Sequence, residues 1–483
     1  MRGIEGMVGH IKNFDEYNES LRDGRIVFYR GKRVDDVTKH PILRLAINPL
    51  AYFFGEGIED SESRERLFYY DPELKATVSS FYKEPRSPSD LYDRFQLTYD
   101  AAKAIGIITA HISSDAIFAS RIVTAELGGE YRQRLLSYAG NAVKNNLFIA
   151  GAQIDVKGHR TLRPGQQKDA DLYVHAVEEK SDGIVVRGAK MHTSNAIVFN
   201  ELFVLPGRAF REGEEDYAIA FTVPANAKGL KMICRPAIGA EAALNDLEGV
   251  RESKVAVLES LTILDDVFVP WERVFVYKDV EKATWLALMF ALWHRFSAVS
   301  YRVGLADYLI GLAKLVAEAN GVEGAPHIQK DIVDILTYSE ILKMCAKMAA
   351  YEGIKHEETG IYIPNSICTN IGKLYSNANY LNVVHSLIDL AGGLAITAPS
   401  GDDYDNEELR KYINKYLSAA IPGEERFKLF LILRETVALM AGEESITHIH
   451  AEGSERASLI ELYRTYDFDG PKQLIKRLLS KMS

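Results

Sequence analysis

The strongest constraint on this chain is a change of hydrophobic period along its length. Between residues 146 and 276 the apolar residues fall in short β-branched or alternating runs, at 147–154, 173–178, 184–186, 201–205, 217–223, 230–234 and 260–269. Runs of that length and composition read as strands. From Lys282 onward the pattern changes to four long apolar or amphipathic stretches, at 282–319, 328–357, 367–391 and 424–441. Four such helices suggest a bundle. Residues 1–145 read mostly as helix and loop: a short helix over 15–23, a turn at Gly31, a helical region over 89–127 that starts after Pro88 and breaks near Ser113-Ser114, and a helix over 130–145. The expectation is an α+β chain in three parts: an N-terminal helical domain over 1–145, a middle β domain over 146–276 and a C-terminal helical bundle over 277–483.

Composition narrows the function. The 483 residues are 47% hydrophobic, enough for large cores. A formal charge of −10 argues against nucleic acid as the main partner. The three cysteines, Cys234, Cys345 and Cys368, are far apart and show no metal-type spacing, which suits a reducing cytoplasm. Residues 1–12 lack the apolar segment of a signal peptide. The most apolar run, 285–293, is too short to span a membrane. There is no GxGxxG or Walker-type loop, so neither a dinucleotide fold nor an NTPase is indicated. A soluble, cytoplasmic protein is expected.

Residues 151–206 draw the most attention. A polar loop over 155–171, punctuated by Gly158, Pro164 and Gly165, leads to a strand-like run at 172–176. A turn at Lys180-Ser181-Asp182-Gly183 follows, with Gly183 free to take a positive φ. The next segment, Arg187-Gly188-Ala189-Lys190-Met191-His192-Thr193-Ser194-Asn195-Ala196, is cationic and hydroxyl-bearing where a plain strand would be apolar. The pattern fits an ordinary exposed hairpin or a ligand wall.

These residues also carry a resemblance. Lys157-Gly158-His159-Arg160, Arg163-Pro164, Gln166-Gln167 and the segments 169–173 and 182–190 resemble the middle domain of 4-hydroxybutyryl-CoA dehydratase. That enzyme shares a superfamily with the oxygenase component of 4-hydroxyphenylacetate 3-monooxygenase. The similarity continues through Asp265-Asp266-Val267-Phe268-Val269-Pro270, His294-Arg295, Ala391-Gly392-Gly393-Leu394 and Gly453-Ser454. It implies the acyl-CoA dehydrogenase fold and a homotetrameric flavoprotein. FAD would lie against the β domain, in a cleft closed by the helical bundle and partly by a neighbouring subunit. The family's flavin contacts fall on Lys157, Gly158, His159 and Arg160. A threonine near the flavin ring falls on Ser194, and a late contact falls on Gly453 and Ser454. Arg160 and Lys157 suit a pyrophosphate, though they equally suit a solvated loop. Ser454 also suits a helix N-cap.

The dehydratase needs a four-iron four-sulfur cluster on three cysteines and one histidine. Two of those cysteine positions fall on Ile107 and His111, the third on Tyr301, and the histidine on His294. One ligand in four is retained, so no cluster and no metal are expected; clusters are built on thiolates. Other family positions read Ala298 for a tyrosine, Arg302 for a lysine and Thr447 for a glutamate, while Glu259 keeps its glutamate. His448 and His450, two apart on a helix, point away from each other. The expected pocket is lined by His111, His294, Tyr301, Glu259 and Arg302. His294 and Tyr301, seven apart, share a helix face, though His294 after Trp293 also suits a core position. The leading expectation is an FAD-dependent monooxygenase acting on a phenol, with a flavin reductase as partner. The alternatives are acyl-CoA chemistry without the cluster and a non-catalytic flavin-binding paralogue. Against the monooxygenase, its histidine before the flavin loop falls on Gly151.

Overall fold

The computed structural model describes residues 13–58, 61–106, 109–237 and 257–482. Ile107 and residues 1–12 lie outside them. The middle of the chain forms two sheets. The larger runs in the order Lys32–Val34, Val27–Tyr29, Leu230–Cys234, Ser260–Pro270, Gly183–Lys190, His175–Lys180. The smaller runs Val274–Tyr277, Ile219–Pro224, Glu201–Val204, Ile149–Ala152. Pairing is antiparallel except for Val27–Tyr29 on Leu230–Cys234 and Ile149–Ala152 on Glu201–Val204. Two strands of the larger sheet therefore come from the segment that reads as helix and loop. Val27 and Tyr29 are buried on one face of that sheet, and three residues are too few to show a period. The segment 66–84, which has no clean period, holds the hairpin Phe68–Asp71 with Ala76–Ser79.

Three local expectations are corrected. The break in the first long helical region is not at Ser113-Ser114. Helix Pro88–Ile105 ends at Gly106, with φ +80°, and a second helix runs over His111–Leu127. Ser113 does not compete with its own helix. Its hydroxyl accepts from Ile149 N at 2.8 Å and donates to Ile149 O at 3.2 Å, so it docks the smaller sheet. Gly183 does not take a positive φ; it opens the strand Gly183–Lys190. A Cβ there would lie 2.2 Å from Val269 O, so glycine is required by the close approach of the neighbouring strand. The run at 172–176 also starts late. Asp169 caps the turn Ala170–Leu172, and the strand begins at His175.

The helical half is built on Val280–Asn320. It packs on Pro326–Tyr351 and Ser366–Ala391, and on Pro88–Ile105 and His111–Leu127 from the N-terminal region. Its centre is buried nearly all round, from Trp293 to Gly304, as a helix enclosed by others must be. Gly423–Leu439 completes the four long C-terminal helices. Among the described residues no helix is long and apolar enough to cross a membrane.

Candidate active site

The site begins where His111–Leu127 meets Val280–Asn320. His111 is the first residue of its helix, and Asp115 follows one turn later on the same face. His294 comes from the facing helix. Its Nδ1 lies 3.6 Å from Asp115 Oδ2, and His111 Nε2 lies 3.9 Å from the same oxygen. The two imidazoles stack at 5.5 Å, Phe290 covers His294 at 5.4 Å, and the Tyr301 ring lies 5.8 Å from His111. His294 and Tyr301 thus meet at one place, as their spacing predicts.

The cluster is short of hydrogen bonds. Both ring nitrogens of His111, Nδ1 of His294 and Oδ2 of Asp115 are buried without a partner. Such orphans are costly, about 1–3 kcal/mol each. Asp115 Oδ1, by contrast, is well held. It accepts from Arg94 Nη2 at 2.5 Å and from Ser297 Oγ at 2.9 Å. Burial lowers the His111 pKa to about 3, so its ring is neutral. Burial also pushes the Asp115 carboxyl up, but Arg94 and the histidines outweigh it and hold the group below its ordinary value.

The sheet side of the site is the turn after Gly183–Lys190. His192 and Asn195 take positive φ, 56° and 54°. Asn195 Nδ2 donates to Thr109 Oγ1 at 2.8 Å, and its Oδ1 accepts from Leu258 N at 2.9 Å. This one side chain ties the turn both to the start of the His111 helix and to the segment that bears Glu259, just before strand Ser260–Pro270. Beside it, Ser194 Oγ donates to Glu259 Oε1 at 2.7 Å, while Glu259 Oε2 is buried without a partner. Burial raises the Glu259 pKa above its ordinary value, against smaller opposing effects of Ser194, Arg235 and His294. A half-buried carboxyl with one free oxygen suits proton exchange.

Arg302 and Tyr301 have partners within the chain. Arg302 Nη2 lies 2.7 Å from Glu452 Oε2, Lys373 Nζ lies 2.9 Å from the same oxygen, and Tyr301 OH donates to Oε1 at 3.0 Å. All four side chains are buried. Burial pushes the Glu452 carboxyl up, but Arg302 and Lys373 hold it well below its ordinary value. The Arg302 guanidinium, expected to line the pocket, is thus already paired within the chain. Sequence reasoning missed Glu452 and Lys373. The family's glutamate was placed at Thr447, whose side chain lies outside the description, whereas an acidic residue stands directly before Gly453-Ser454.

The loop at 155–171 is anchored at its start and near its middle. Asp155 and Lys190 form a buried ion pair at 2.7 Å, so Lys190 is structural. Arg163 Nε donates to Glu214 Oε1 at 2.7 Å. Gly158 has φ +49°, and a Cβ there would lie 2.5 Å from Gln167 Oε1, which accepts from His159 N. The Lys157 amine is lowered by burial first and then by the charge of Arg160, with Arg208 and Lys190 adding to it. Arg160 is exposed and pairs with no carboxylate among the described residues. A cationic group whose members repel each other fits a phosphate-bearing ligand. Gly453, with φ +90°, packs against Arg295, and Ser454 caps helix Glu455–Thr465 through Ala457 N. Burial pushes the Glu214 carboxyl up, but Arg163 and the Arg211 backbone N–H more than compensate, leaving its pKa below the ordinary 4.5. Its contribution is therefore present above pH 4.5 and is lost as pH falls through the lower folded value. Limited proteolysis within 155–171 is expected to accelerate over that window, and Glu214→Gln to remove the pH dependence.

A three-cysteine cluster does not fit. Cys234 lies on a strand of the larger sheet, and Cys345 and Cys368 on the Pro326–Tyr351 and Ser366–Ala391 helices. Burial pushes their thiols up, Cys234 to about 12 and Cys345 to about 11, away from the thiolate form. No thiol joins the His111–Asp115–His294 group. His448 is buried and stacks on Tyr380 at 3.8 Å, while His450 is exposed, so the two diverge as their spacing predicts.

Family models described as 4-hydroxyphenylacetate 3-hydroxylase N terminal and C terminal match residues 13–276 and 283–480. The chain belongs to the 4-hydroxyphenylacetate 3-hydroxylase family. Within this family of enzymes it is 30% identical to the 4-hydroxybutyryl-CoA dehydratase/vinylacetyl-CoA-Delta-isomerase of Clostridium aminobutyricum, over 96% of this chain and 98% of that one. It is 26% identical to the 4-hydroxyphenylacetate 3-monooxygenase oxygenase component of Thermus thermophilus, over 96% and 97%. Among solved structures, an oxygen-tolerant 4-hydroxybutyryl-CoA dehydratase from N. maritimus superposes with a TM-score of 0.90 at 27% identity, over 98% and 95%. The 4-hydroxyphenylacetate 3-monooxygenase oxygenase component crystallised with FAD superposes at 0.88 and 24% identity, over 97% and 98%, and shares the fold.

Proposed function

We propose that this chain is an FAD-dependent oxidoreductase, the oxygenase component of a two-component system that hydroxylates a phenol, with a separate flavin reductase as partner. The observation that carries the reading is the Ser194–Glu259 pair, a half-buried carboxyl with one unpartnered oxygen on the wall where the family places the flavin ring. Lys157, His159 and Arg160 would hold the phosphates, with Gly158 giving the backbone close approach, and Gly453 and Ser454 would close the far end. Bound FAD would supply two-electron redox chemistry and oxygen activation. Glu259 would accept the phenol proton, and Ser194 would orient its carboxyl. His111 and His294 would wall the pocket on the helical side and exclude water. The assembly we propose is a homotetramer in the cytoplasm, built from the three parts 1–145, 146–276 and 277–483.

A second reading, acyl-CoA chemistry with Glu259 taking the α-proton, has its own support. At Gly151, where the oxygenase histidine would stand, a Cβ would lie 2.8 Å from Ile112 Cγ2 and 3.0 Å from Phe290 Cζ. No imidazole can be accommodated there without moving both. The two readings separate in one assay series. Oxygen-dependent hydroxylation of a phenol panel, with a flavin reductase and NADH present, supports the first. Bleaching of bound FAD by an acyl-CoA without reductase supports the second, and failure of a folded protein to bind micromolar FAD removes both. Arg160→Ala is expected to weaken FAD binding with the thermal unfolding profile unchanged; an unaltered Kd removes its phosphate role.

A further inference from the structure

We propose that His111, Asp115 and His294 form a binding site for one divalent transition-metal cation. The site goes beyond the flavin reading and does not depend on it. Three donors from two helices converge: two lie one turn apart on His111–Leu127, and the third faces them from Val280–Asn320. Their ligand atoms all lie within 4.8 Å of one another, with two edges of 3.6 and 3.9 Å. A tetrahedral ion with bonds of about 2.0–2.2 Å holds its donors roughly 3.3–3.6 Å apart, so small side-chain rotations close the triad.

The polar atoms that would bind the ion, Nε2 of His111, Nδ1 of His294 and Oδ2 of Asp115, are among those left without a hydrogen-bond partner. In an ordinary packed core such atoms find partners. The supporting shell is present as well. Arg94 and Ser297 occupy Asp115 Oδ1, which fixes the carboxylate with its second oxygen turned to the histidines. Stacking of His294 on Phe290 fixes that ring. Two imidazoles and one carboxylate suit zinc, iron(II) or cobalt(II), and the absence of thiolates from the triad separates this site from any iron–sulfur cluster. Three protein donors leave at least one position open for water or a substrate oxygen. Asn195, which joins the start of this helix to the segment bearing Glu259, would keep that position beside the flavin wall.

The test uses cobalt(II) and the chelator-treated full chain, with no flavin added. One equivalent is expected to produce visible ligand-field absorption that saturates at one ion per chain. His111→Ala and His294→Ala should each abolish it, Asp115→Asn should weaken it, and the exposed His450→Ala should leave it unchanged. Circular dichroism identifies variants that fold; should His111→Ala fail to fold, the partly exposed His294→Ala decides the assignment. No saturable band in folded wild-type protein overturns the proposal, as does a band that survives in a folded histidine variant. Because the signal is read without flavin, its failure leaves the oxidoreductase reading standing, and the converse also holds.

Discussion

Glu259→Gln is expected to lower kcat by roughly two to four orders of magnitude while FAD affinity and the unfolding temperature stay close to wild type. The substitution keeps the shape of the side chain and an acceptor for Ser194 Oγ, which donates to Oε1 at 2.7 Å. It removes only the ability to take up and release a proton. Burial raises the carboxyl of Glu259, and a base must be ionised to work. The acid limb of the pH–rate profile should therefore sit above the ordinary glutamate value and disappear in the variant. Steady-state kinetics across pH on whichever substrate class proves active checks this. A variant with near-normal kcat and the same acid limb would reassign Glu259 to a structural role, with Ser194 as its anchor.

Glu452→Ala should destabilise the protein by about 3–5 kcal/mol, because it leaves buried cations without a counter-charge. Arg302, Lys373 and Tyr301 all address this one carboxylate from two different helices of the bundle. The helix after Gly453 is held separately: Arg295 pairs with Glu461 and donates to the Glu452 carbonyl. The loss should therefore fall on the junction between the Val280–Asn320 and Ser366–Ala391 helices. Denaturant unfolding followed by far-UV circular dichroism should show an earlier first transition. Glu452→Gln, which retains an acceptor for Tyr301, should lose less. A Glu452→Ala variant as stable as wild type would mean that water reaches the two cations.

Much of the fold is legible from period alone. The strands at 230–234 and 260–269 and three of the four long C-terminal helices emerge within a few residues of their expected limits, while the helix expected over 328–357 ends at Tyr351. Short elements were not legible. Val27–Tyr29 becomes a strand between Lys32–Val34 and the parallel edge offered by Leu230–Cys234. Val274–Tyr277 is likewise too brief to declare itself. Ser113-Ser114 reads as a break because hydroxyls favour helix ends in isolation, yet the Ile149 backbone takes up the Ser113 hydroxyl and the helix continues. Gly183 reads as a turn residue, and only the position of Val269 shows that the constraint is space.

The sequence by itself determined the order of helical and strand-forming segments, the absence of clustered thiolates and the candidate residues His111, His294, Tyr301 and Glu259. Periodicity and side-chain chemistry are local properties, and they survive without a fold. Tertiary structure decided what each candidate faces. It gave Arg302 and Tyr301 to Glu452, gave Lys190 to Asp155, and left His111, Asp115 and His294 converging with unpaired atoms. Those outcomes depend on contacts between residues far apart in the chain, whose distances no spacing rule encodes. They also depend on burial, which turns an unpartnered nitrogen from an ordinary solvated group into a costly one.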